Sequence, residues 1–386
     1  MFQNEDPAIE FNKIYNTDPE GMVKAPGRVN LIGEHTDYNC GFVFPCALKL
    51  STTVTFKLRD DCIARVRSQA YPGMEDQFDV TGAIEHSDTP WMNYIRGVFY
   101  ILRDYGFQLT RGIDILVGSS LPEDGGLASS AALSVSVAGA ISKSMNLSID
   151  KRSLALVAQR AENDFLGNQC GIMDQLTAAY AAEDHLLLID CKDYKIKPIG
   201  LPRELAIVII NSRVKRKLVE SGYNDRRSEC NRAAEAMGVA SLREASLQML
   251  DNSMDSMDNA AFLRARHVIT ENERTVRTAE ALTQGDIQLV YQLMYESHES
   301  MKNDFENSVP EVDALVEYCK ESLAPNAVGA RMTGGGFGGS IVALCQNDDA
   351  KTLVRHVTAN YLQQYGIQAP SYICRPSSAM KIAWNK

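Results

Sequence analysis

Six polar side chains crowd the run Lys24-Ala25-Pro26-Gly27-Arg28-Val29-Asn30-Leu31-Ile32-Gly33-Glu34-His35-Thr36-Asp37-Tyr38. They are Arg28, Asn30, Glu34, His35, Thr36 and Asp37, set among two glycines and a proline. Carboxylates beside a histidine suit the hydroxyls of a sugar, where donors and acceptors alternate. Arg28 suits a phosphate, because a planar guanidinium offers several donors and a permanent charge. The plainer reading is a solvated polar loop after a strand.

A second segment runs Leu121-Pro122-Glu123-Asp124-Gly125-Gly126-Leu127-Ala128-Ser129-Ser130-Ala131-Ala132. It is a glycine turn that feeds a helix rich in Ser and Ala. Free N–H groups and the dipole at such a helix start favour a phosphate, and small residues let it approach the backbone. A serine hydroxyl there also suits Mg²⁺. The plainer reading is a helix capped by Ser129 or Ser130. The segment is not a Walker A loop, since no GKS or GKT occurs.

A third segment is Arg331-Met332-Thr333-Gly334-Gly335-Gly336-Phe337-Gly338-Gly339-Ser340. Gly334, Gly336 and Gly339 match GxGxxG in form. The residues after it, Ile341-Val342-Ala343-Leu344, read as a strand, whereas a dinucleotide site needs a helix there. A strand–glycine loop–strand hairpin is expected, with another backbone or a ligand passing close.

Two carboxylates stand apart from these runs. Glu162 falls in a helical stretch and Asp174 in Cys170-Gly171-Ile172-Met173-Asp174-Gln175. Each also reads as a cap or a surface partner. Trp91 and Asn93 place one of two tryptophans beside polar groups, as a core residue or a base-stacking one.

The elements that must position these groups follow from apolar spacing. Strand-like patches fall in Val23–Ile32 and Phe42–Leu58, and at Ile113–Val117, Leu186–Cys191, Leu205–Asn211, Val328–Thr333, Ile341–Cys345 and Tyr372–Arg375. Helices are expected over Trp91–Tyr105, Ser129–Met145, Lys151–Phe165, Asp174–Ala182 and Ala350–Tyr365. Val219–Leu323 reads as mainly helical, with a turn at Gly285-Asp286. Strands and helices without strict βα alternation predict an α+β fold. The division expected is residues 1–200 and 201–386.

The 386 residues suffice for two domains, and 45% hydrophobic with 23% charged residues is the balance of a globular chain. A formal net charge of −10 argues against nucleic acid or an anionic membrane as partner. No signal peptide or spanning apolar stretch is visible, so a cytoplasmic protein is expected. The nine cysteines are odd in number, without CxxC or zinc spacing, and read as reduced thiols.

The three segments, in this order and at these spacings, resemble the signatures of the GHMP kinases, and among these the galactokinases. GRVNLIGEHTDY, CGIMDQ and MTGGGFGG are similar to that family's versions, and the resemblance runs from about Val23 to Pro376. It implies a two-lobed α+β fold with the active site in the cleft between lobes. It also implies phosphorylation of α-D-galactose at C1 by ATP with Mg²⁺, the first step of galactose metabolism, by a monomer with only small-molecule partners.

Position by position, the resemblance assigns Arg28 and Asp174 to catalysis. It assigns Glu34, His35, Asp37, Gly171, Asp174 and Tyr223 to the sugar. Ser130 and Glu162 are its metal ligands, with Ser129 the fallback. Gly125, Gly126, Leu127, Ala128, Ser129 and Ser130 form its triphosphate loop, and Trp91 with Asn93 its adenine pocket. Arg28 is expected to hold the Asp174 side chain. Asp124 departs from the usual glycine, and its side chain is expected to point to solvent. A sugar sensor of the same family, altered in its Ser-Ala pair, and a kinase for N-acetylgalactosamine are the alternatives; Ser130-Ala131 favours the enzyme.

Overall fold

Hydrogen-bonded pairing joins the strands into three sheets, seen here in a computed structural model. It describes residues 6–122, 125–214, 219–324 and 326–384. In chain order the first strands are β1 (Gly21–Asn30), β2 (Phe42–Val43), β3 (Pro45–Leu58), β4 (Ile63–Ser68), β5 (Glu75–Asp79) and β6 (Ile113–Ser119). There follow β7 (His185–Asp190), β8 (Lys195–Gly200) and β9 (Leu205–Asn211). The last are β10 (Val328–Thr333), β11 (Ser340–Gln346), β12 (Ser371–Cys374) and β13 (Lys381–Trp384).

The largest sheet has the order β13-β1-β3-β6-β4-β5, antiparallel except for the parallel pair β4 and β6. A second has the order β10-β11-β9-β12 and is antiparallel throughout. The third is the small sheet β2-β7-β8. Segregated helices on mostly antiparallel sheets make this an α+β fold, as expected.

The helix Ser129–Ser144 lies against β1 and β3 and is buried from Ala131 to Ser142. Its Ala, Ser and Gly content lets it sit close to the sheet. Helix Lys151–Arg160 starts where the Asp150 carboxylate accepts from Ser153 N at 2.7 Å. The α-helix expected through Phe165 instead widens after Arg160 into a π turn, Ala161–Phe165. Such turns re-aim side chains, and this one carries Glu162. Helix Asn259–Gln284 ends on Gly285 in the left-handed region, and Asp286 caps the next helix, Ile287–Asn303.

Several elements lie outside the sequence expectation. The helix Pro7–Tyr15 and strands β4, β5, β8 and β13 are short, and most face solvent on one side. In β4 and β5 only Ala64, Val66, Asp76 and Phe78 turn inward, while Arg67 pairs with Glu75 on the outer face. Strand β13 returns the chain's end to the first sheet, pairing Lys381–Trp384 with Gly21–Lys24. Just before it, Ser377 bridges to Ala47.

Strand β1 positions the first of the chemical segments. Its register against β3 breaks between Pro26 and Arg28. A bulge there turns the strand and leaves Gly27 out of the ladder, which resumes at Arg28 opposite Ala47. Gly27 is needed at the break: a Cβ would fall 2.5 Å from Leu127 O and 2.4 Å from a Leu121 methyl. Arg28 N also donates to Leu127 O at 3.0 Å, joining the first segment to the second.

The Trp384 ring sits 5.6 Å from Phe56, with the Lys143 ammonium 5.3 Å from its centre. Trp384→Ala is expected to lower stability by about 1–2 kcal/mol, below the ~3–5 of a fully buried tryptophan because the ring is half-exposed. Urea unfolding measures this; an unchanged midpoint would show that β13 adds nothing to the sheet.

Candidate active site

Arg28 and Asp174, 146 residues apart, meet in a bidentate pair. Arg28 Nε and Nη2 donate to the two Asp174 oxygens at 2.6 and 2.8 Å. Arg28 Nη1 donates to Gly126 O at 2.7 Å, which fixes the fork's third direction. Asp174 is the second residue of helix Met173–Tyr180. Burial works against the guanidinium's charge, but Asp174 and Glu34 outweigh it and hold Arg28 above its ordinary pKa. The arginine is buried, while the Asp174 side chain keeps 25% of its surface open. The carboxylate is therefore anchored from behind and reachable from the cleft.

Glu34 lines the same cleft from the turn after β1. Its Oε1 accepts from Gly334 N at 2.8 Å, Thr333 Oγ1 at 3.1 Å and Arg331 Nη1 at 3.3 Å. The third segment thus reaches across to the first. It is the hairpin expected from the sequence, β10 and β11 joined by glycines, and Ser340 Oγ donates to Gly125 O at 2.7 Å. All three segments converge.

Asp37 accepts from Tyr38 N at 3.0 Å and Met173 N at 3.3 Å. Burial, with Asp174 nearby, raises its carboxyl to a pKa of about 6. Gly171 lies directly against it: a Cβ would stand 1.9 Å from Asp37 Oδ2. Tyr223, on helix Val219–Ala236, lines the cleft and packs its ring against His35 and Tyr38 at 5.5 and 5.3 Å.

His35 also lines the cleft, but its ring nitrogens have protein partners. Nδ1 lies 2.9 Å from Tyr38 Oη and Nε2 lies 2.8 Å from Asn307 Nδ2. The ring stacks on Phe305 at 4.3 Å. Burial, then the positive charge of neighbouring side chains, drives its pKa well down, so the ring is neutral. With the Asn307 amide donating to Nε2, the proton belongs on Nδ1, where it points to Tyr38.

Glu162 is buried and accepts from Gln175 Nε2 at 2.9 Å. Burial and the Asp174 charge raise its pKa to about 7, against hydrogen bonds from Gln175, Ser130 and Asn168. A buried carboxyl beside a serine hydroxyl and a second carboxylate is an oxygen-rich environment. Oxygen donors of this kind fit Mg²⁺. Ser129 is exposed and Ser130 half-buried, so the hydroxyl beside Glu162 is that of Ser130.

Neither serine caps its helix. The N-cap is Ala128, held in the left-handed region at φ 60°, with no side-chain cap hydrogen bond. The reading of Ser129 or Ser130 as the cap therefore fails, and among the described residues no side chain caps the first turn. Gly126, at φ 71°, makes the turn before it. Asp124 lies outside the described residues, as does Glu123.

Trp91 and Asn93 do not line this cleft. Asn93 pins a loop, accepting from Ser87 N at 2.6 Å and donating to Ser87 O at 3.0 Å. The Trp91 ring stacks on Tyr71 at 6.0 Å, and its buried Nε1 has no partner among the described residues. Sequence reasoning missed Arg331, Glu271, Asn307 and Gln175. Arg331 and Gln175 sit inside quoted segments; Glu271 and Asn307 carry no local signal.

Three family signatures match along the chain. They are the galactokinase galactose-binding signature over residues 9–58, the GHMP kinase N-terminal domain over 93–182 and the GHMP kinase C-terminal region over 278–363. The fold is shared with a mevalonate kinase of Methanococcus jannaschii, at TM-score 0.61 and 17% identity over 92% of this chain and 98% of that one. The architecture is that of a GHMP kinase. A galactokinase of Lactococcus lactis, complexed with galactose, matches at TM-score 0.92 and 32% identity, covering 97% of this chain and 98% of that one. A galactokinase of Glaesserella parasuis serovar 5 (strain SH0165) is 43% identical over 376 residues, 97% of each chain. The chain belongs to the galactokinase family.

Gly171→Ala is expected to push the Asp37 carboxylate aside by a full Cβ contact. Misplacement on that scale lowers kcat/KM by about 100-fold. Steady-state kinetics measures it, with circular dichroism checking the fold; near-native kinetics would show that Asp37's position is unimportant.

Proposed function

We propose that this enzyme transfers the γ-phosphoryl of ATP to the C1 hydroxyl of α-D-galactose, giving galactose 1-phosphate and ADP in the first step of galactose metabolism. The observation that carries the reading is the Arg28–Asp174 pair, open toward a cleft that Glu34 and Asp37 also line. A sugar ringed by hydroxyls finds acceptors in these carboxylates, with His35, Gly171 and Tyr223 completing the walls. The family's galactose-complexed relative supports the choice of sugar.

Asp174 receives the C1 hydroxyl. Held by two arginine hydrogen bonds, the carboxylate has a fixed direction and orients that hydroxyl. That suffices for a loose phosphoryl-transfer transition state, in which the attacking oxygen needs little activation. Asp174 takes the proton as the new P–O bond forms. Arg28 keeps Asp174 in place and sets a positive charge beside the transferring group. The N–H groups from Gly126 to Ser130, at the uncapped helix start, receive phosphate oxygens. Gly125, Leu127, Ala128 and Ser129 complete this loop, and Trp91 with Asn93 takes the adenine end. Ser130 and Glu162 would hold Mg²⁺. When bound, the ion supplies positive charge against the β- and γ-phosphate oxygens.

The protein is further assigned to the cytoplasm, working as a monomer with lobes of residues 1–200 and 201–386. The nine free cysteines fit a reducing compartment. Among the described residues no helix is long and apolar enough to cross a membrane.

The direct test incubates the protein with Mg-ATP and a sugar panel, follows ADP, and locates the phosphate by phosphorus NMR. Turnover with galactose, giving the 1-phosphate, is expected. Turnover confined to N-acetylgalactosamine would correct the substrate, and galactose binding without ADP release would identify a sensor. In the same assay Asp174→Asn is expected to lower kcat by roughly 10²–10⁴-fold, the range for a lost proton acceptor.

Glu162 makes the metal's effect depend on pH. Its folded pKa of about 7 lies above its ordinary value of 4.5, so the folded state alone holds this proton between the two. The group's contribution to metal-free stability therefore falls as pH rises through that window. A cation removes the penalty only where the proton has left. The rise in Tm on adding Mg-nucleotide is expected to be larger at pH 8 than at pH 5.5, and the difference to shrink in Glu162→Gln. An equal rise at both pH values would place the metal elsewhere.

A further inference from the structure

The turn that carries Glu34 belongs to no strand or helix, yet three of its groups are held from outside. Gly33 N donates to Glu271 Oε1 at 2.9 Å. Glu34 O lies 3.1 Å from His267 Nε2. Glu34 Oε1 takes the three donors of β10 and the glycine loop that were described above. Glu271 and His267 share one helix, Asn259–Gln284.

A short relay joins these holds. Arg331 stands between two carboxylates, 3.3 Å from Glu34 Oε1 and 3.9 Å from Glu271 Oε1. Ser297 Oγ accepts from Arg331 Nε at 3.0 Å and donates to Glu271 Oε1 at 2.6 Å. Arg274 Nε closes the far end on Glu271 Oε2 at 2.8 Å. The side chains of Arg331 and Glu271 have no solvent exposure. Burial alone would neutralise Glu271, but Arg274 and Arg331 pull its pKa down to about 2, so it is ionised.

A buried charge cluster is a poor device for stability. Apolar side chains of the same volume often serve as well or better, because the desolvation of each ion is not recovered. What such a cluster supplies is fixed direction. Here all three donors on the Glu34 carboxylate fall on one oxygen. A carboxylate has two acceptor oxygens, so Oε2 is the one left for a ligand in the cleft that Glu34 lines.

We propose that Arg331 and Glu271 are positioning residues for the sugar, acting through Glu34 by fixing its carboxylate so that Oε2 faces a sugar hydroxyl. The proposal rests on the assignment of Glu34 to the sugar. It requires that loss of the relay weaken sugar binding while ATP binding and the Arg28–Asp174 chemistry persist. Neither Arg331 nor Glu271 touches the substrate.

The test compares Glu271→Gln, Arg331→Met, Arg331→Lys and the double Arg331→Met/Glu271→Gln with Glu34→Gln. The double variant removes one charge of each sign, but it leaves Arg274 without its carboxylate and Glu34 without its arginine, so Tm is read beside KM. Galactose KM, ATP KM, kcat and Tm are measured for each. Losing hydrogen bonds to a charged group corresponds to about 10–100-fold in affinity. The double variant is expected to raise galactose KM by about that factor, with ATP KM within about two-fold. Glu271→Gln, nearly isosteric, is expected to raise galactose KM a few-fold, and Arg331→Lys to recover part of what Arg331→Met loses. Wild-type galactose KM in both Glu271→Gln and the double variant, with KM raised in Glu34→Gln, would overturn the positioning role and leave the Glu34 assignment standing. An unchanged KM in Glu34→Gln would overturn that assignment and this proposal with it. Should the double variant fail to fold, wild-type galactose KM in Glu271→Gln assigns the cluster to folding alone and overturns the proposal.

Discussion

Four carboxylates share one cleft, and the structure is arranged around their mutual repulsion. Glu34, Asp37, Glu162 and Asp174 all line it. Each is handled differently. Asp174 receives a bidentate arginine, Glu34 a buried arginine with two further donors, and Asp37 two backbone N–H groups. Glu162 receives only neutral donors, and its pKa rises to about 7. Asp37 likewise has only neutral donors, and its pKa rises to about 6. The two carboxyls without an arginine are the two that burial pushes up.

The same constraint explains why distant segments must meet. Arg28, on β1 just after the bulge at Gly27, meets Asp174 where the helix Met173–Tyr180 begins at the cleft. Arg28 also holds the carbonyl of Gly126, so one guanidinium ties the helix Met173–Tyr180 to the glycine turn before the helix Ser129–Ser144. Ser340 ties the third segment to Gly125. The loops therefore cannot shift independently.

Much of this was legible in the sequence. The three segments declared themselves by residue type, and the strands and helices that carry them, β1, Ser129–Ser144, β10 and β11, follow from apolar spacing. Rejecting a dinucleotide fold on the strand after the glycines agrees with the hairpin found. What was not legible has physical causes. Strands β4 and β5 turn too few apolar residues inward to show a period, and β13 is a short edge strand. The π turn at Ala161–Phe165 keeps helical composition, so only its hydrogen bonding reveals it. Glu271 and Arg331 are charged residues buried in a helix and a strand, and composition assigns such residues to the surface. His35 was expected to offer its ring to a ligand, yet Tyr38 and Asn307 already engage both nitrogens.

The central claim is that Glu162 and Asp37 are the two carboxyls of the cleft that no arginine compensates, Glu162 the more strongly shifted. The most direct measurement is a carbon-13 NMR titration of the side-chain carboxyls in the metal-free protein, with Glu162→Gln to assign the signal. The account predicts that Glu162 titrates at about 7 and Asp37 at about 6. A Glu162 carboxyl titrating near 4.5, its ordinary value, would mean that the cleft balances its own charge, and would contradict the account.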